Sequence, residues 1–143
     1  MNDILSGYKH KVQIPIRYSD IDMLQHVNNA KYLNFLEEAR VDYAKDIFGW
    51  DGQAHTLGII LASVKINFLQ PVFLFEELWI YTKCVKIGTK SFDLEYVFWR
   101  ESPNPAPCAT AATTLVCYDL QKQKSIEVPE EMRLKIMEFE PGL

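Results

Sequence analysis

Between Asp20 and Asn29 the chain gathers two aspartates, one histidine and two asparagines: Asp20-Ile21-Asp22-Met23-Leu24-Gln25-His26-Val27-Asn28-Asn29. A carboxylate can attack a carbonyl or take a proton from water. A histidine four residues later, His26, can orient water or exchange a proton near neutral pH. If a helix begins just after this stretch, its first backbone N–H groups lack acceptors and carry a positive field. Such groups can hold the negative oxygen that forms when an activated carbonyl is attacked. The segment therefore holds an attacking or basic group and an oxyanion site. Each residue also has a plain structural use. Asp20 and Asp22 can brace turns, and Asn28 or Asn29 can cap the helix.

The flanking pattern supplies the elements that must position this segment. Residues 11–18 alternate, with Val12, Ile14, Ile16 and Tyr18 on one side, which predicts a half-buried strand. From about Asn29 to Phe48 the period changes. Leu33, Leu36, Tyr43, Ala44 and Ile47 share a helical face, while Glu38, Asp42 and Lys45 lie on others, and Gly49 ends the helix. Strands follow at 57–69, 77–87, 90–100 and 108–119, with a hairpin turn at Gly88-Thr89. Phe92, Leu94, Tyr96 and Phe98 share one face of the 90–100 strand. Pro129 opens a short helix with Glu130 and Glu131 in its first turn. Consecutive strands with short connections imply an antiparallel sheet, and the long helix must bury its stripe against one face. Val97 and Trp99 lie on the opposite face, so bulk on both sides predicts an oligomer.

Composition narrows the class. The chain has 143 residues, 48% hydrophobic, which suits one domain spanning residues 1–143 with a substantial core. A formal charge of −4 argues against a general nucleic-acid binder. No apolar run is long enough to cross a bilayer, and the first residues, MNDILSGYKHK, lack the apolar centre of a signal peptide. Cys84, Cys108 and Cys117 are too scattered for a disulfide framework or a C-x-x-C metal site, so burial as small apolar residues in a reducing cytoplasm is expected. The 3 histidines show no zinc spacing, and no metal or other cofactor is expected.

The run from Tyr18 through Asn29, followed by Tyr32 and Glu38-Ala39-Arg40, resembles the signature of the hotdog-fold acyl-CoA thioesterases, nearest the 4-hydroxybenzoyl-CoA thioesterase-like group. Asn67-Phe68-Leu69-Gln70-Pro71, Lys90-Ser91-Phe92 and Ile126-Glu127-Val128-Pro129 extend the resemblance over nearly the whole chain. It implies an α+β hotdog fold, a five-stranded antiparallel sheet wrapped around one long helix. It also implies a homodimer or homotetramer with active sites between subunits.

The resemblance implies roles for particular residues. Asp22 matches the catalytic carboxylate, a nucleophile or general base depending on the member. Asp20 keeps a structural role. Asn29 falls where a backbone N–H polarises the thioester carbonyl. His26 matches the histidine of a D-x-N-x-H set in plant acyl-carrier-protein thioesterases, but Leu24 stands where the asparagine would be, so that set is incomplete here. Glu38 and Arg40 read as a buried or interface ion pair. Lys90 and Ser91 match a pair near coenzyme A, and Tyr32, Leu36 and Leu61 are candidate acyl-pocket residues. The implied reaction is hydrolysis of an acyl-CoA to a free acid and CoA. An acyl-carrier-protein thioesterase and a non-catalytic acyl-CoA-binding domain are the alternatives.

Overall fold

The computed structural model describes residues 3–50 and 57–143. Strand β1 (His10–Ile14) leads through a loop to helix α1 (Lys31–Phe48). Strands β2 (Leu57–Phe68), β3 (Glu77–Ile87), β4 (Ser91–Ser102) and β5 (Ala106–Asp119) follow, then the short β6 (Lys124–Ser125) and helix α2 (Glu130–Phe139). The main strands run antiparallel in the order β1-β3-β4-β5-β2, and β6 pairs with β5. The sheet curls around α1, which is the hotdog arrangement.

Strand β1 is shorter than the alternation predicts. Its pairing with β3 stops at Ile14↔Leu78. Pro15 comes next and has no N–H to donate to a ladder. Tyr18 therefore leaves the strand face, sits in a short 3-10 turn (Tyr18–Asp20) and is exposed. The helix starts at Lys31 rather than Asn29, because Asn28 and Asn29 form the turn that precedes it. The Asn28 side-chain oxygen accepts from Ala30 N–H at 2.9 Å, and the Asn28 carbonyl accepts from Lys31 N–H at 2.9 Å.

The buried stripe of α1 is Tyr32, Phe35, Leu36, Ala39, Tyr43 and Ala44. Leu33 lies a helical step off this stripe and is exposed, contrary to the face read from the sequence. The stripe packs on Phe92, Leu94, Tyr96 and Phe98 of β4, the row its alternation predicts. Cys84, Cys108 and Cys117 are buried free thiols, as expected.

The far side of the sheet differs from the expectation. Val97 and Trp99 are not left in water. Leu5, Ile4 and Tyr8 of the N-terminal segment pack on them together with Tyr81. Lys83 Nζ lies 4.5 Å from the centre of the Tyr8 ring. The Val97–Trp99 argument for an oligomer therefore fails, because the chain covers that face itself. Exposed apolar surface appears instead along β2. This strand sits at the sheet edge, where Ile60, Leu61, Val64 and Phe68 are each about 40% exposed.

Candidate active site

The Asp20–Asn29 segment is a tight hairpin loop. Ile21 and Val27 form a β-bridge, Asp22 N–H donates to the His26 carbonyl at 3.1 Å, and Asn28 N–H donates to the Asp20 carbonyl at 2.9 Å. The tip is a turn closed by Gln25 N–H on the Asp22 carbonyl at 2.9 Å. Gln25 takes a positive φ of 69° there, a conformation that costs a non-glycine residue and is held by the bridge on either side. Asp22 Oδ1 accepts from Leu24 N–H at 2.9 Å, an Asx turn that fixes the carboxyl. The turn leaves Oδ2 unused. Asp22 thus has the bracing contact its residue type allows, while its second oxygen has no hydrogen-bond partner among the described residues.

Asp20 is a structural residue. It is buried, and its Oδ2 accepts from Arg17 N–H at 2.8 Å, with Lys31 Nζ at 4.0 Å from Oδ1. His26 Nδ1 lies 3.1 Å from the Val27 carbonyl. A carbonyl only accepts, so Nδ1 carries the proton and Nε2 is the acceptor of the neutral ring. The ring also meets Phe73 edge-on, with centroids 6.4 Å apart. Asn29 is exposed, and its N–H finds no acceptor among the described residues, whereas the N–H groups of Asn28, Ala30, Lys31 and Tyr32 all do. The loop therefore joins Asp22 and His26 through one backbone hydrogen bond and leaves one N–H without a described acceptor just before α1.

A brace under this loop was not visible in the sequence. Val27 N–H donates to the Val72 carbonyl at 2.8 Å, and both residues are buried. The chain around Val72 is held by the nearly buried Arg100. Its guanidinium donates to Gln70 Oε1 at 2.7 Å, to the Pro71 carbonyl at 3.3 Å and to the Asn104 carbonyl at 2.7 Å, with Glu76 Oε1 at 3.7 Å. In the sequence Arg100 is only a charge at the end of a strand. Gln70-Pro71 belongs to a motif in the sequence, but nothing local names Arg100 as its partner.

The other candidate residues separate. Leu36 and Leu61 share a cavity of about 140 Å³ between α1 and the β2–β5 edge, lined also by Leu33, Asn34, Glu37, Arg40 and Thr113. Tyr32 is a core residue instead. Its ring packs on Phe68 at 4.9 Å and Phe98 at 5.0 Å, and burial is the main cause that pushes its hydroxyl up to about 12. Glu38 does not pair with Arg40; it lies 3.9 Å from Arg17 at an exposed position. The expected Glu38–Arg40 ion pair is therefore absent, because Glu38 faces β1 and Arg40 faces β2.

Lys90 and Ser91 stand at the start of β4, beside the end of β3 at Ile87. The Asp22 loop stands at the opposite end, where β1 leaves Leu78 and where Val72 leads into β3. Ten strand steps separate Glu77 from Ile87, roughly 33 Å at ~3.3 Å per residue. Within one chain, Lys90 does not approach Asp22.

The histidines show no metal spacing, yet the fold brings His10 to Asp42 and Asp46. His10 Nε2 is 2.9 Å from Asp42 Oδ2 and 3.5 Å from Asp46 Oδ2. Lys45 Nζ meets the other oxygens of both carboxylates at 3.4 and 3.8 Å. This cluster ties β1 to α1, away from the Asp22 loop. No described helix is long and apolar enough to cross a membrane.

Comparison with known proteins identifies the family of the chain. Residues 16–136 match the model of the thioesterase-like superfamily. The long-chain acyl-CoA thioesterase FadM of Escherichia coli (strain K12) is 38% identical over 128 residues, covering 88% of this chain and 96% of FadM. The probable thioesterase YbaW from Escherichia coli superposes with a TM-score of 0.77 at 36% identity, over 91% of this chain and 98% of that one. A thioesterase from Thermus thermophilus, solved with coenzyme A and zinc, superposes with a TM-score of 0.80 at 26% identity, over 95% of this chain and 98% of that one. The chain belongs to the thioesterase-like superfamily.

Proposed function

We propose that the protein hydrolyses an acyl-CoA to the free carboxylic acid and coenzyme A, in a homodimer whose two active sites each draw on both chains. One observation carries the chemistry: a half-used carboxylate, Asp22, is fixed opposite His26 in a hairpin that ends at the open N–H of Asn29. The thioester carbonyl oxygen accepts from Asn29 N–H at the start of α1, where the helix field favours developing negative charge. Asp22 Oδ2 then takes a proton from the water that attacks the carbonyl carbon, or attacks that carbon itself to form a mixed anhydride that water hydrolyses to the free acid and the restored carboxylate. The C–S bond breaks as the tetrahedral intermediate collapses, and coenzyme A leaves as a thiolate that takes up the proton water releases, passed through Asp22 in the general-base route. His26 Nε2 accepts a hydrogen bond from the water and orients it. These steps use no metal or other cofactor. Coenzyme A in the Thermus thermophilus relative and the acyl-CoA activity in the name of FadM support the choice of carrier.

The dimer reading rests on the edge strand and the sheet ends. β2 presents a row of apolar side chains and unpaired backbone groups, the kind of surface a second sheet covers. Burying such apolar area contributes about 25 cal/mol per Å². Antiparallel pairing of β2 with its copy sets the Phe68 end of one chain beside the Leu57 end of the other. Leu57 pairs with Asp119, and Val116 of the same strand pairs with Ser91. The second copy therefore brings its Lys90–Ser91 turn to the end of the sheet where Asp22 lies. A lysine there can hold a phosphate of coenzyme A.

Thiol release from a panel of aromatic, short and long acyl-CoA esters, and from the same acyl groups on acyl-carrier protein, tests this reading. Turnover of at least one acyl-CoA is expected. Tight acyl-CoA binding without thiol release would assign a binding domain instead, and turnover of carrier-protein esters alone would reassign the carrier.

A further inference from the structure

Helix α1 carries seven charged residues, and five of them have opposite charges nearby. Lys31 faces Asp20, Glu38 faces Arg17, and Asp42, Lys45 and Asp46 form their own group with His10. Glu37 and Arg40 are the exceptions: among the described residues, neither has an opposite charge within 4.0 Å. Both line the cavity beside Leu61. Arg40 is half-buried, beside the Tyr96 hydroxyl that is 2.8 Å from Thr113 Oγ1. A half-buried guanidinium without a carboxylate is unfavourable, and none of the described residues supplies one within 4.0 Å.

The missing partner has a definite chemistry and position. The two charges are of opposite sign and about one helical turn apart; both line the cavity at the β2 edge, and Glu37, on the crest of α1, also borders the cavity on the β1 side. A two-fold axis that pairs β2 with its copy runs the two α1 helices antiparallel. The midpoint of β2, between Leu57 and Phe68, falls near Ser63, two residues from the cavity-lining Leu61. Under that axis the Glu37–Arg40 face meets its own image, and the image is charge-complementary.

Resting on the dimer reading above, we propose that Arg40 pairs with Glu37 of the partner subunit, and Glu37 with Arg40 of the partner subunit, in two symmetric ion pairs that close the acyl cavity of each chain. Glu37 of the partner subunit is then a wall of the cavity that Leu36 and Leu61 line, and the acyl chain length accepted is a property of the dimer.

Charge reversal tests this. Glu37→Arg and Arg40→Glu each place like charges across the axis, and each homodimer should dissociate about tenfold or more readily than wild type by sedimentation. Mixing the two variants should restore association, because each heterodimer pair again joins opposite charges; the double variant E37R/R40E should also restore it. Wild-type-like dimers from both single variants, or no gain on mixing, would overturn the proposal, the latter being the outcome of an intrahelical pair. If Arg40→Glu does not fold, the exposed substitution Glu37→Arg decides alone, and an unchanged dimer dissociation constant overturns it. Glu37→Gln should change the acyl chain-length preference, while Glu38→Gln, on the β1 side, should leave it as in wild type; equal profiles for all three would overturn the shared wall. A monomeric wild-type protein would instead remove the dimer reading itself.

Discussion

Asp22 and His26 face each other across a two-stranded loop, joined by the Asp22 N–H on the His26 carbonyl at 3.1 Å. Residues directly opposed in an antiparallel pair project from the same side of the ribbon. The adjacent Ile21–Val27 bridge keeps that register. A carboxylate and an imidazole are therefore delivered to one side of the loop by backbone pairing, without bonding to each other.

His26→Ala should lower kcat by less than Asp22→Asn does. The proposed mechanism gives His26 only the orientation of water through Nε2, and Leu24 stands where the resemblance would place a third polar partner. Steady-state kinetics of the two variants compare them directly. Equal losses would show that the histidine carries as much of the chemistry as the carboxylate.

Arg100→Ala should act as the loss of a positioning residue. It releases Gln70, Pro71 and Asn104 and leaves Glu76 without its cation. Breaking a buried charge pair of this kind costs about 3–5 kcal/mol. Thermal unfolding should show that loss. The Val72–Val27 contact should loosen, so kcat falls more than KM rises in any variant that still folds. Unchanged kcat with lowered stability would limit Arg100 to the scaffold.

Alkaline stability follows from the buried thiols and phenols. Burial pushes the Cys84 thiol from 9.0 up to about 12 and Cys117 from 9.0 up to about 11. Burial also pushes Tyr8 from 10.0 up to about 12. These groups hold their protons longer when folded than when unfolded. Their stabilising effect is complete below pH 9 and is lost as pH rises toward 12. Denaturant midpoints should therefore fall between pH 9 and pH 12, and the thiols should resist alkylation in the native protein at pH 8. Rapid native alkylation would contradict the packing around Cys84 and Cys117.

Shared sites predict complementation between chains. Asp22→Asn and Lys90→Ala homodimers should each be impaired, the first in kcat and the second in KM. After mixing and exchange, each heterodimer contains one site with both residues intact. Specific activity should rise above the average of the two parents, and activity that only averages them would place Lys90 outside the site.

The legible parts of this molecule are those where periodicity acts alone. The Phe92-Leu94-Tyr96-Phe98 row reads directly as the face under α1, because a central strand alternates between two environments. Edge position breaks the rule at β2, where Val64 and Phe68 alternate like core residues and yet remain exposed. Val97 and Trp99 read as an uncovered face because the covering residues, Ile4, Leu5 and Tyr8, lie about 90 positions earlier in the chain and show no period of their own. The loop chemistry was legible through a dense motif. The Arg100 brace was not, since its partners come from two separate loops. The distance between Lys90 and Asp22 also required the strand order, which no local pattern contains.

Removing the Asp22 carboxylate decides whether this residue performs the chemistry at the start of α1. Rates of thiol release by wild type and Asp22→Asn should be compared on the best acyl-CoA of the panel, with circular dichroism and sedimentation confirming an unchanged fold and assembly. The amide keeps an oxygen for the Leu24 N–H and loses the carboxylate. A general-base step contributes ~100- to 10,000-fold, so kcat should fall by at least ~100-fold with the variant folded. Activity within a few-fold of wild type would contradict the account.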